Sequence, residues 1–127
     1  MIGLLIAAHG GLGQGLLDAA VLILGPQAQA TAIGVFPGDG REDIVKKIRQ
    51  GLEQIDGPEG TLVLCDMLGG SPHQVCTLLS EKKGIEVVFG ANLPMVVEFF
   101  MSRGSMDLAE LTIKVNEAGI KGIRGVI

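Results

Sequence analysis

The run Ile2-Gly3-Leu4-Leu5-Ile6-Ala7-Ala8 constrains this chain more than any other stretch. Six of its seven residues are apolar, and His9 and Gly10 close it. A continuous apolar run that stops at a glycine reads as a strand buried on both faces, the kind found inside parallel sheets. Parallel strands need long crossovers, so the rest of the chain must supply helices between strands. His9 falls at the carboxyl end of the strand, where open α/β sheets place their chemistry.

The remaining pattern supplies those helices. Leu16, Leu17, Ala20, Val21 and Leu24 recur at helical spacing, predicting a first helix from near Leu12 to Gly25-Pro26. Thr31 to Phe36 reads as the second strand, closed by Pro37-Gly38-Asp39-Gly40, and a helix follows from about Arg41 to Ile55. Thr61 to Cys65 is the third strand, with Asp66 at its carboxyl end. After the loop Met67-Leu68-Gly69-Gly70, Ser71-Pro72 reads as the N-cap and first turn of a third helix reaching about Lys82. Ile85 to Phe89 is the fourth strand, Asn92-Leu93-Pro94 opens a fourth helix, and Met106-Asp107 to Glu117 a further one. From Ile120 to Ile127, Ile and Val alternate with Lys, Gly and Arg, which predicts a half-buried edge strand.

This order predicts one domain, residues 1–127, with a doubly wound, mostly parallel α/β sheet. Its expected flavodoxin-like strand order is 2-1-3-4, with a C-terminal edge strand. In that order the first and third strands are neighbours at the topological switch point, and their loops diverge to open a crevice. His9 and Asp66 would then face each other across it.

Composition narrows the function. A net charge of −4 opposes nucleic-acid binding, which needs a basic patch. The cations Lys46, Lys47 and Arg49 read as a solvated helix face. Cys65 and Cys76 form no C-x-x-C pair and read as packed free thiols, which suits a reducing cytoplasm. Met1 leads straight into a strand with no basic leader, and no apolar run approaches the roughly 18 residues of a membrane span. A cytoplasmic location follows as an expectation.

A carboxylate that accepts from Nδ1–H of a histidine fixes the tautomer and leaves Nε2 a nucleophile. Two helix starts flank His9 and Asp66, one after Gly10-Gly11 and one after Gly69-Gly70-Ser71. Helix N-termini approached through glycine present free N–H groups that favour phosphate. Together these features fit phosphoryl transfer through His9, oriented by Asp66, with Gly10, Gly11, Gly69, Gly70 and Ser71 around the phosphate. Gly13 and Gly15 each cost a helix about 1 kcal/mol, which argues that the backbone is approached closely there.

Each residue also has a plainer reading. His9 also fits a satisfied strand-end histidine, Asp66 a turn residue, Ser71 simply a cap and His73 a residue on the crevice lip. Other chemistries fit less well. The glycines at 10, 11, 13 and 15 do not make G-x-G-x-x-G, and a receiver domain wants acidic residues where His9-Gly10 stands. Gly70-Ser71-Pro72 is no nucleophile elbow, which weakens a Ser71, His9 and Asp66 triad. Strand alternation sends Cys65 and Asp66 to opposite faces, so a metal site with His9 and His73 does not converge. No metal or cofactor is expected.

Four motifs in order carry a resemblance that covers essentially the whole chain. They are Ala8-His9-Gly10, Pro37-Gly38-Asp39, Asp66-Met67-Leu68-Gly69-Gly70-Ser71-Pro72 and Gly90-Ala91-Asn92-Leu93-Pro94-Met95. The chain resembles the IIA component of the mannose-type phosphoenolpyruvate:sugar phosphotransferase system. The resemblance implies that His9 is phosphorylated by the phosphocarrier protein HPr and passes the group to a separate IIB component. It implies that Asp66 pairs with His9, and that contact with the membrane is indirect, through a IIC/IID permease. It implies a homodimer exchanging an antiparallel C-terminal strand. Two other roles stay open under the same resemblance: a regulatory IIA module read by a partner, and the IIA-like domain of a dihydroxyacetone kinase system. His73 departs from the family pattern, and the sugar is not encoded in such a domain.

Overall fold

The computed structural model describes residues 1–55, 57–67, 71–79 and 81–126, without the side chains of residues 71–73 and 78. The elements in chain order are β1 (Gly3–His9), α1 (Leu12–Leu24), β2 (Ala30–Val35), α2 (Arg41–Ile55) and β3 (Thr61–Cys65). They continue with α3 (Ser71–Leu79), β4 (Ile85–Phe89), α4 (Leu93–Ser102) and α5 (Leu108–Lys121).

The four strands form one parallel sheet in the order β2-β1-β3-β4. β1 is central because its side chains from Leu4 to Ala8 are all apolar and fully buried. The pleat sorts them onto two layers. Leu4 and Ile6 join Leu62 and Leu64 under α1, α4 and α5, packing on Leu17, Ala20, Val96, Phe99 and Leu111. Leu5 and Ala7 join Val63 and Cys65 under α2 and α3, against Ile44, Ile48, Val75 and Cys76. The core is aliphatic, as the composition requires. Truncating one such side chain to alanine costs about 2–5 kcal/mol.

Local chemistry sets the helix ends. Asn92 caps α4 by accepting from Met95 N–H at 3.2 Å, with Pro94 in the first turn. Asp107 and Glu110 form a reciprocal capping box at the start of α5. In α1, Gly13 is buried where a Cβ would sit 3.2 Å from Ile6 Cγ2, so that glycine does serve close approach. At Gly15 a Cβ would meet nothing within 4 Å, so the expectation of crowding fails there.

The predicted C-terminal edge strand does not form in the chain. Ile120 and Lys121 belong to the last turn of α5, and residues 122–126 carry no strand. The helix continues where the sequence reading stopped it, because Gly119 is a packing position rather than a break. A Cβ there would fall 2.6 Å from Met95 Cγ, so the missing side chain lets α5 press against α4. Ile127 lies outside the described residues.

At the amino ends of the strands, Arg103 holds three segments together. Its guanidinium donates to Ile2 O at 3.3 Å, Ala28 O at 2.8 Å and Gln27 Oε1 at 3.3 Å. It also lies over the rings of Phe99 and Phe100, 5.6 and 5.1 Å from their centroids. The residue is only 6% exposed.

Candidate active site

β1 and β3 are adjacent, with Ala7 opposite Cys65, so their carboxyl ends come out side by side. His9 ends one strand and Asp66 follows the other. Their helices leave to opposite layers, which makes this the switch point of the sheet. His9 also lies opposite Val35 of β2.

Asp66 reaches His9 twice through one oxygen. Its Oδ2 accepts from the His9 backbone N–H at 2.9 Å and lies 2.8 Å from His9 Nδ1. Its Oδ1 accepts from Met67 N–H at 3.0 Å. The Asp66 side chain is 11% exposed, and that of His9 is 47% exposed. Burial alone raises the Asp66 carboxyl pKa. The His9 N–H, the His9 ring and the Met67 N–H together outweigh it, so the group sits below the ordinary carboxylate range. An ionised Asp66 only accepts, so the shared proton resides on Nδ1 and Nε2 carries the lone pair.

The chain turns sharply after His9. Gly10 adopts φ of +57°, a left-handed conformation that glycine takes without strain. Gly10 N–H donates to Val35 O at 2.8 Å, so it holds the turn and is spent as a donor. Gly11 is the N-cap of α1 and makes no side-chain cap, and the first turn has no acidic residue. Helix geometry leaves the first-turn N–H groups without partners inside the helix, and α1 starts three residues after His9. Gly69 and Gly70 lie outside the described residues. Ser71 begins α3, but its side chain and that of His73 are not described.

Cys65 and Asp66 diverge as expected. Cys65 is buried against Cys76, with the two sulfurs 3.0 Å apart, while Asp66 turns to His9. The solvated reading of the cation group holds for Lys46 and Arg49, which are exposed. It fails for Lys47, which donates to Gly34 O and Asp39. A lysine one position from the buried Ile48 was the available signal.

A ring nitrogen with a free lone pair, a carboxylate behind it and a helix N-terminus beside it are chemically suited to phosphoryl transfer. A family model described as the PTS system fructose IIA component matches residues 3–116. The chain belongs to that family. Its members are IIA components of the mannose/fructose/sorbose type of the phosphotransferase system (PTS). One relative is the PTS mannose-specific EIIAB component of Escherichia coli K12, 33% identical over 128 residues. That match covers 97% of this chain and 40% of the relative, so the chain spans about two fifths of its length. The fructose-specific EIIA component of Bacillus subtilis is 28% identical over 112 residues, covering 87% of this chain and 77% of that protein. A crystal structure of an EIIA component from Streptococcus agalactiae matches with a TM-score of 0.89 at 33% identity, over 98% of this chain and 97% of that one. The IIA fold seen there agrees with the four-stranded sheet described above.

Proposed function

We propose that this IIA component accepts a phosphoryl group from phosphorylated HPr on His9 Nε2 and delivers it to a IIB component. The observation that carries this reading is the Asp66 carboxylate bound to Nδ1 of a half-exposed histidine. The Nε2–P bond forms as the P–N bond to the donor histidine breaks, and the electron pair returns to the donor ring. Positive charge grows on the His9 ring and is balanced by Asp66. We assign the binding of the transferring oxygens to the backbone turn of Gly10 and Gly11 at the start of α1 and to Gly69, Gly70 and Ser71, of which Gly69 and Gly70 lie outside the described residues. The group then leaves to IIB by the reverse chemistry.

Partner docking draws support from the surface around His9. Leu12, Phe36 and Met67 follow the carboxyl ends of β1, β2 and β3, and all three are about half exposed. A cytoplasmic location is part of the proposal, and no helix among the described residues is long and apolar enough to cross a membrane. Membrane contact would then be indirect, through a IIC/IID permease. A homodimer is also part of it. Ile120, Ile123 and Val126 are 64%, 77% and 103% exposed, and β4 is a sheet edge among the described strands.

The test is reconstitution with phosphoenolpyruvate, enzyme I and HPr, followed by addition of a cognate IIB with its permease in membranes and sugar. Acid-labile phosphate on the chain and formation of sugar phosphate are expected. Phosphate retained on the chain with no sugar phosphate formed would replace the transport role with a regulatory one. Sedimentation at micromolar concentration checks the dimer; a monomer would remove that part.

A further inference from the structure

Asp39 and Lys47 have no part in the chemistry above. Asp39 ends the Pro37-Gly38-Asp39 motif after β2, and Lys47 lies on α2. Asp39 Oδ2 accepts from Phe36 N–H at 2.8 Å and from Lys47 Nζ at 2.7 Å. Lys47 Nζ also donates to Gly34 O at 2.9 Å and lies 5.2 Å from the centroid of the Phe36 ring. One ammonium thus joins a carboxylate, a carbonyl and a π face. Lys47 first, then the Phe36 N–H, holds the Asp39 carboxyl below its ordinary value. The path from Gly34 to Asp39 is tied to α2 through Lys47 at Gly34, Phe36 and Asp39.

That path is the wall on which the His9–Gly10 turn rests. Gly10 N–H donates to Val35 O, and His9 lies opposite Val35 in the sheet. The packing is close: a Cβ at Gly34 would collide with Gly10 O and would sit 2.7 Å from the Phe36 ring. On the other side, Asp66 holds the His9 N–H. The backbone of the nucleophile is therefore gripped from β3 by a carboxylate and from β2 by this wall.

The structure assigns Asp39 and Lys47 as positioning residues for His9, acting through the Gly34–Phe36 backbone and Gly10. An exposed ion pair contributes little to stability and leaves remote amides alone. This pair differs: its side chains are 18% and 34% exposed, and both bond to backbone that abuts the His9 turn. The role rests on the proposed phosphorylation of His9, but its first readout does not.

That readout is amide hydrogen exchange in the unphosphorylated protein. Asp39→Ala and Lys47→Met should each speed exchange at Gly10 on the order of tenfold, with Ile6 in mid-strand unchanged. Lys47→Arg should restore protection, because it keeps the charge and the donors. The second readout is His9 phosphorylation by phospho-HPr. The maximal rate should fall about 3–10-fold while the half-saturating donor concentration stays constant. The double variant should be no slower than the slower single variant, because the two residues act as one unit. Unchanged Gly10 protection in both folded variants would overturn the assignment. A raised half-saturating concentration at an unchanged maximal rate would also overturn it, making the pair a docking contact. If the wild-type chain took no phosphate at all, the functional reading would fail, while the exchange comparison would still decide the positioning claim.

Discussion

A single carboxylate oxygen of Asp66 holds both the backbone N–H and the ring Nδ1 of His9, at 2.9 and 2.8 Å. Strand end and imidazole are thereby fixed by the same atom. The ring cannot turn about its side-chain bonds without breaking a charge-assisted hydrogen bond, which is shorter and stronger than a neutral one. Nε2 stays outside this contact, on a side chain that is about half exposed. The sheet order makes this possible, because only adjacent β1 and β3 can bring residues 9 and 66 together.

Asp66→Asn should leave the fold intact and slow phosphorylation of His9 by about 10²–10³, or roughly 3–4 kcal/mol of transition-state stabilisation. Three N–H groups point at the carboxylate: His9 N–H, His9 Nδ1–H and Met67 N–H. An amide cannot accept from all three, since its NH₂ must face one of them. It also removes the charge that balances the phosphorylated ring. Rapid-quench kinetics with phospho-HPr, beside a melting curve, measure this. A folded variant within about threefold of wild type, under 1 kcal/mol, contradicts it.

Acid should weaken the same contact with a definite sign. The folded Asp66 carboxyl lies below the ordinary value of about 3.9, so the unfolded chain binds the proton first as pH falls. The contribution is complete well above that value and is lost as pH drops through the folded pKa. The melting-temperature gap between wild type and Asp66→Asn should shrink as pH falls below about 4. A gap unchanged down to about pH 3 contradicts the shift.

Arg103→Ala should be among the costlier single substitutions. It would strip donors from Ile2 O, Ala28 O and Gln27 Oε1 and remove the cation from two phenylalanine rings. A loss of about 2–3 kcal/mol is expected, seen as a melting point lower by roughly 10 °C. The site lies at the opposite end of the strands, so the phosphorylation rate of the folded variant should not change. A drop under about 2 °C contradicts the clamp.

Cys65 and Cys76 should resist thiol reagents in the native protein and both react after denaturation. Each is fully buried, and the contact with Cys76, followed by burial, pushes the Cys65 thiol up so that thiolate is scarce. A native thiol reacting as fast as a small-molecule thiol contradicts this packing.

The strands were legible because each is an apolar run ended by a turn signal, and a parallel sheet buried on both faces needs such runs. β1, β3 and β4 fall where those runs lie, and the sheet order follows from alternating strands and helices. The His9–Asp66 pairing was legible through topology alone. The C-terminal strand was misread because Ile and Val alternate with Lys, Gly and Arg from Ile120 to Ile127, although the first two of these residues end α5. Only contact with Met95 explains a glycine inside α5, and that is a tertiary fact. Lys47 was misread for a similar reason. Its neighbours in sequence are solvated, whereas its partners Gly34 and Asp39 lie 13 and 8 residues away.

The most direct test of the account is to find which atom carries the phosphoryl group. The chain, labelled with ¹⁵N in its histidines, is phosphorylated by phosphoenolpyruvate, enzyme I and HPr and examined by NMR for nitrogen–phosphorus coupling. Asp66 holds Nδ1, so the account predicts phosphate on Nε2 of His9, with His73 unlabelled. Phosphate on Nδ1 of His9, or on any other residue, would contradict it.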